Sequence, residues 1–215
     1  MANQAKEKTI NSGTREKILQ AAYSCFSEEG YASSSISKIA KRAKVLSGSI
    51  YWAFETKEKL FSEVLRIAGD EFLASLKVTV RFEHGKLINA DEIIARLLEN
   101  FGTGPEFLRL FLAVAVEPNA GSNEVIAVAK DIRMQCRNII EEPILEAFSE
   151  YDQQYISQNA QRISTMVIQL LDGLYVATKI EGNEVNIQSY ISNIVRFIEN
   201  EIQLLSQQTK NAVSI

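Results

Sequence analysis

A single histidine, His84, in 215 residues leaves little material for acid–base or metal chemistry. It stands beside Gly85 at a break in the helical pattern with no nucleophile or carboxylate motif around it, and neither a Gly-rich phosphate loop nor HExxH occurs in the chain. Neither catalysis nor a cofactor is expected. Cysteine is nearly as scarce: Cys25 and Cys136 fall in separate helical stretches, with no CxxC and no His/Cys cluster of metal-ligand spacing. They read as two packed thiols, and no metal site is expected. No apolar run approaches the roughly 18 residues of a membrane span, and the first 17 residues are polar and charged, which places the chain in the cytoplasm. Apolar–polar alternation of period two bounded by turn signals is missing too, whereas apolar residues at helical spacing recur almost throughout. The fold class expected is all-α, with a core that 46% apolar content can fill.

The net charge of −4 conceals an asymmetry. Residues 1–65 hold ten Lys/Arg against seven Asp/Glu, and the remaining residues hold 13 against 20. A mildly basic amino-terminal part beside an acidic remainder fits a DNA-facing end without establishing one.

Three short helices open the chain. Thr14 can cap the first, whose inward face is Ile18, Leu19, Ala22 and Phe26, and Gly30 supplies the left-handed residue that ends it. A serine of the Ser33–Ser35 cluster caps the second, which buries Ile36, Ile39, Ala40 and Ala43 and ends at Lys44-Val45. The third follows at once with Ile50, Tyr51 and Phe54. This is the smallest assembly that holds a helix-turn-helix rigid. Thr56 caps a long amphipathic fourth helix carrying Leu60, Phe61, Val64, Leu65, Ala68 and Phe72. Further helices are expected near 91–100, 105–116, 122–149, 157–180 and 187–206, with Pro143 kinking its helix or opening a new segment. The division expected is 12–60 for a helix-turn-helix DNA-binding domain, its motif at 35–54, and 61–206 for a helical ligand-binding and dimerisation domain. Residues 1–12 and 207–215 read as frayed tails.

A helix entering the major groove needs an end free of bulk, donors for phosphates and side chains that reach base edges. Ser47, Gly48 and Ser49 put hydroxyls and backbone N–H groups at a helix amino terminus, where the macrodipole also favours phosphate. Tyr51 and Trp52 follow, with O–H and N–H groups for phosphate and rings for the sugar backbone, and Lys57 is placed to reach the same strand. The plain alternatives are a Ser-Gly-Ser turn, core aromatics and a solvated lysine face. Ile50 and Phe54 are better placed for the core, which leaves at least one of Tyr51 and Trp52 outside.

From Arg15 to Leu65 the chain resembles the amino-terminal domain of the TetR family of bacterial transcriptional regulators. The resemblance lies in Ile18-Leu19, Ala21-Ala22, Phe26, Gly30-Tyr31, Ile39-Ala40 with Ala43, Gly48-Ser49-Ile50-Tyr51-Trp52-Ala53-Phe54, Lys57-Glu58 and Leu60, in order and spacing. It implies about nine helices, a homodimer built by the last two, and a small-molecule pocket in the carboxy-terminal domain. It also implies DNA contacts at Ser34 or Ser35, Ser47, Gly48, Ser49, Tyr51, Trp52 and Lys57. Three residues depart from the family's pattern. Lys44 stands where the turn usually has glycine, at a cost on the order of 1 kcal/mol if it is left-handed, some of it recovered through a phosphate contact. Leu46 stands where Ser or Thr caps the recognition helix, so Ser47 is expected to take the cap and move the helix start by one residue. Ala53 replaces a histidine that often touches phosphate.

The stretch 157–180 is apolar on more than one side, with Ile163, Val167, Leu170, Leu171 and Leu174 on one face and Met166, Ile168 and Tyr175 off it. The last helix repeats this, with Ile187, Ile191, Ile194, Val195, Ile198 and Ile202 on a stripe and Tyr190, Phe197 and Leu204 outside it. A second copy of the chain would cover the surplus, Gly173 allowing close approach; the other arrangement puts both helices at the centre of one core. Arg109, Arg133, Gln135, Gln169 and Tyr175, polar residues on otherwise apolar stretches, are the candidates for an effector pocket. The functional expectation is a dimeric, ligand-responsive repressor on a palindromic DNA operator. The alternative is a helical ligand-binding or protein-interaction module with weakened DNA binding, which Lys44 and Leu46 raise.

Overall fold

The computed structural model describes residues 12–76, 80–83, 86–103, 105–116 and 122–213, so His84 lies outside the described residues. Their elements run α1 (Ser12–Glu29), α2 (Ile36–Ala43), α3 (Ser47–Phe54), α4 (Lys57–Ser75), β1 (Phe82–Glu83), β2 (Lys86–Leu87), α5 (Ala90–Thr103), α6 (Pro105–Val116), α7 (Asn123–Ala147), α8 (Gln153–Ile180), a 3-10 turn at Gly182–Glu184, and α9 (Ile187–Val213). The chain forms two compact units, residues 1–69 with 106–130, and residues 70–105 with 131–215. The first of these units takes in α6 and the start of α7.

In the first unit α1 buries Ile18, Ala21, Ala22, Cys25 and Phe26, the i, i+3, i+4, i+7, i+8 stripe of an amphipathic helix. It begins at Ser12, so Thr14 lies in its first turn and is not the cap expected of it. Leu19, expected inward, is half-buried. Gly30 ends the helix at φ 85°, its N–H donating to the Phe26 carbonyl at 3.1 Å. The rings of Phe26, Tyr31 and Phe61 then meet with centroids 4.8–5.7 Å apart, tying α1, the following turn and α4 together. Phe26, Phe61, Ile18, Ile39 and Ile50 are fully buried, and each such side chain is worth about 1.5–3 kcal/mol of transfer free energy. Thr56 caps α4 as expected, its Oγ1 accepting from the Lys59 N–H at 3.1 Å. Buried Ser62 on α4 donates to Glu124 in the first turn of α7 at 3.2 Å.

The second unit is a helical core of Ile140, Ile144 and Phe148 from the α7 side, Ile156, Ile163, Val167 and Leu174 from α8, and Ile191, Ile194, Ile198, Ile202 and Leu205 from α9. Asp152 caps α8, its carboxylate accepting from the Gln154 and Tyr155 N–H groups at 3.0 and 3.4 Å. α7 runs through Pro143 as one helix, so no new segment opens there. α9 continues to Val213, so 207–213 is helix and not tail. The antiparallel pair Phe82↔Leu87 and Glu83↔Lys86 is the one strand feature among the described residues, too short for a period-two pattern to register. α8 also corrects an expectation. Its 28 residues include an 18-residue window of mean hydropathy 1.2, long and apolar enough by length and composition to cross a membrane. Here one face of it is part of the helical core just described.

Candidate nucleic-acid interface

The turn between α2 and α3 sets the geometry of the site. Ser35 caps α2, its hydroxyl accepting from the Lys38 N–H at 3.2 Å. At the other end Lys44 adopts φ 57°, ψ 44°, the left-handed conformation that its position was suspected to require. The Val45 N–H then donates to the Ala40 carbonyl at 3.0 Å and the Lys44 N–H to that of Lys41 at 3.3 Å, a Schellman closure normally given to glycine. Lys41 and Arg42 in the last turn complement the negative end of the helix dipole.

α3 begins at Ser47 with Leu46 as its N-cap residue, extended at φ −78°, ψ 145° and making no side-chain cap bond. Ser47 does not take over the cap. A leucine has no acceptor for the orphan N–H groups, and the helix starts in its usual register without one. Ile50 and Phe54 are buried, whereas Tyr51 and Trp52 are each 54% exposed, so both aromatics lie outside the core. A Cβ added at Gly48 would meet nothing within 4 Å, so the protein's own packing does not call for glycine there. The missing side chain leaves room for something arriving from outside. Ser47 and Ser49 are half-buried beside it; the Ser49 N–H donates to the Leu46 carbonyl at 2.9 Å, while the N–H groups before it are ones that a helix's own backbone does not satisfy.

Two expected contacts are placed elsewhere. Ser34 is fully buried, its hydroxyl within 2.9 Å of the Cys25 carbonyl and 2.7 Å of the Gly30 carbonyl, where it ties the end of α1 to the turn. It is unavailable to DNA, which leaves Ser35 of the pair. Lys57 donates to the Tyr31 carbonyl at 2.5 Å with its ammonium 4.0 Å above the Tyr31 ring, so it braces α4 against the head's core. Burial first, and the bond that the Tyr31 hydroxyl donates to Glu58 at 3.1 Å second, push that phenol well above its ordinary pKa. The Glu58 carboxyl is held below its usual value, chiefly by a backbone N–H at the start of α4.

A feature that the sequence reading missed lies at the same turn. Lys17, Gln20 and Ser24 of α1 and Arg42 with Lys44 at the end of α2 line a concavity of about 310 Å³ that has no carboxylate in its wall. Arg42 is paired with Glu28 at 2.7 Å. Lys17 and Lys44 are exposed and make no ion pair among the described residues. The only sequence signal was an exposed lysine on α1, some 25 residues from the turn it joins.

The proposed effector residues differ in unit and in burial. Arg109 belongs to the first unit and is exposed; Gln135 and Gln169 are exposed in the second, Gln135 bonding Asp131. Arg133 pairs with Asp172 at 2.8 Å, half-buried, and Tyr175 is 5% exposed.

Residues 18–64 match the family described as bacterial regulatory proteins, tetR family. The chain is 31% identical over 137 residues to the HTH-type transcriptional regulator AcrR of Shigella flexneri, covering 63% of this chain and 62% of that protein. It is 27% identical to the HTH-type transcriptional repressor KstR2 of Rhodococcus jostii, covering 59% and 53%. The matches therefore span under two thirds of either relative. A transcriptional regulator from Saccharomonospora viridis in complex with choline superimposes with a TM-score of 0.64 at 21% identity, over 88% of this chain and 97% of that one. Its likeness is one of fold alone. The amino-terminal head, residues 18–64, matches the tetR family of bacterial regulatory proteins.

Proposed function

We propose that this protein is a cytoplasmic, dimeric DNA-binding repressor that a small molecule releases from a palindromic operator. The observation that carries the DNA-binding part is the outward face of α3: an unfilled Gly48, two flanking serines, and Tyr51 and Trp52 both more than half exposed while Ile50 and Phe54 hold the core. Ser35, Lys44 and the basic concavity with Lys17 supply phosphate contacts around it. Lys57 acts by holding α4 against the head. The repressing sense rests on the KstR2 relative.

Dimerisation is supported by α8. Met166, Leu170, Gly173, Val176 and Ile180 recur at steps of three and four and are all exposed, at 39–78% for the four apolar side chains. Such a stripe is covered most simply by the same stripe of a second copy, through α8 and α9. For the effector, buried Tyr175 and half-buried Arg133 are the least exposed members of the candidate set, and the neighbour holding choline supports a small-molecule ligand in this fold. Release requires that the ligand bind the DNA-incompetent state more tightly.

The test is binding to duplex DNA from upstream of the protein's own coding sequence. Selective binding is expected, weakening steeply as salt rises, with Tyr51→Ala reducing affinity at least tenfold. Equal affinity for this DNA and for unrelated duplex overturns the reading.

A further inference from the structure

Leu46 is 79% exposed, the most exposed of the large apolar side chains among the described residues. A lone exposed leucine is unremarkable on most surfaces. This one occupies the N-cap of the recognition helix, where a serine would bond an orphan N–H and stabilise α3. Its neighbours on that edge are polar or bare: exposed Lys44, exposed Gly48 and the hydroxyls of Ser47 and Ser49. The free protein therefore forgoes a cap and presents an apolar side chain to water at the end of the helix that meets base edges in helix-turn-helix proteins.

DNA offers such a side chain little. Phosphates and sugars at the groove rim reward donors, and an isobutyl group pressed on a phosphate would desolvate it without replacing the lost hydrogen bonds. In the major groove the thymine C5-methyl is the one apolar group on a base edge. We propose that Leu46 is a specificity-determining residue that contacts the methyl group of a thymine in each operator half-site. The inference rests on the DNA-binding reading above and adds to it the base type read at this position. Leu46 thus exchanges the cap's general phosphate-side role for direct base readout.

The experiment uses the full-length protein and its selectively bound upstream duplex, with each thymine replaced in turn by deoxyuridine, which deletes only the methyl group. Wild type is expected to lose affinity about fourfold, the worth of one buried methyl, at one thymine per half-site. Leu46→Ser, which restores a cap and so keeps the fold, is expected to bind the thymine and uracil duplexes alike at that position and to respond like wild type elsewhere. Methyl effects that are absent in wild type, or unchanged in Leu46→Ser, overturn the inference while leaving DNA binding intact. A uniform gain in affinity of Leu46→Ser on every duplex also overturns it, because the residue would then be a deficient cap. If wild type binds no duplex selectively, both readings fall together.

Discussion

Lys44 holds a conformation that costs an L-residue roughly 1–2 kcal/mol relative to one free of a Cβ clash. Its side chain is exposed and makes no ion pair among the described residues, so nothing within the described residues offsets that cost. Lys44→Gly is therefore expected to raise thermal stability by about 1 kcal/mol in a melting experiment while weakening DNA binding. The log–log salt slope should fall by about one, the signature of one lost phosphate contact. Ser34 predicts the reverse. Removing its buried hydroxyl orphans carbonyls at the end of α1, so Ser34→Ala should lose about 1–2 kcal/mol in denaturant unfolding, with the DNA affinity of the folded protein unchanged. The pair separates reading residues from holding residues. Sequence alone could not, because Ser34 and Ser35 are adjacent and chemically identical, and only the path of the turn decides which hydroxyl faces in.

At the scale of elements, α3 is bounded by two irregular joints. Behind it Glu55 adopts φ 61°, ψ −52°, and the Thr56 N–H reaches back to the Phe54 carbonyl at 2.6 Å, the geometry of a strained γ-turn. Lys59 pairs with Glu55 at 2.5 Å across this turn. Glu55→Gly should relieve the backbone and stabilise the head by about 1 kcal/mol in thermal unfolding; a loss of stability would mean that the Lys59 contact outweighs the strain. The helices themselves were legible because burial follows the 3.6 period: the stripe of α2 matches the expected one, those of α4 and α9 do so except for half-buried Phe72 and Ile187, and a serine of the 33–35 cluster and Thr56 cap as expected. The first turn of α1 and the far end of α9 were not, since polar termini carry no periodic signal. Glu55 gave no warning, because nothing in a glutamate marks a left-handed joint. Nor did the sequence show that Lys17 of α1 lines one concavity with Arg42 and Lys44, since that grouping exists only once α1 packs on α2.

For the molecule as a whole, the exposed α8 stripe and one half-buried thiol give two measurable properties. Leu170→Glu places a charge in the stripe, and sedimentation should show a monomer where the wild type is expected to run as a dimer. Operator affinity should fall about 100-fold or more, because the second half-site is no longer tethered to the first. Cys136 makes the second. Burial pushes its thiol from 9.0 up to about 11, with Arg133 opposing the shift. Between these values the unfolded chain loses a proton that the folded chain keeps, so stability falls as pH rises. The loss should reach about 2 kcal/mol near pH 11, and Cys136→Ala should flatten the stability curve above pH 9.

The amino-terminal unit is discontinuous, closing only when residues 106–130 rejoin the first 69. On a ribosome, the helix-turn-helix thus emerges well before its own unit is complete. Ser62 must wait for Glu124, 62 residues later, before its buried hydroxyl finds that partner. A fragment cut after α4 would carry every residue proposed to touch DNA yet lack part of its own packing. Grafting this head onto another protein therefore calls for two splices, with α6 and the opening turns of α7 carried along.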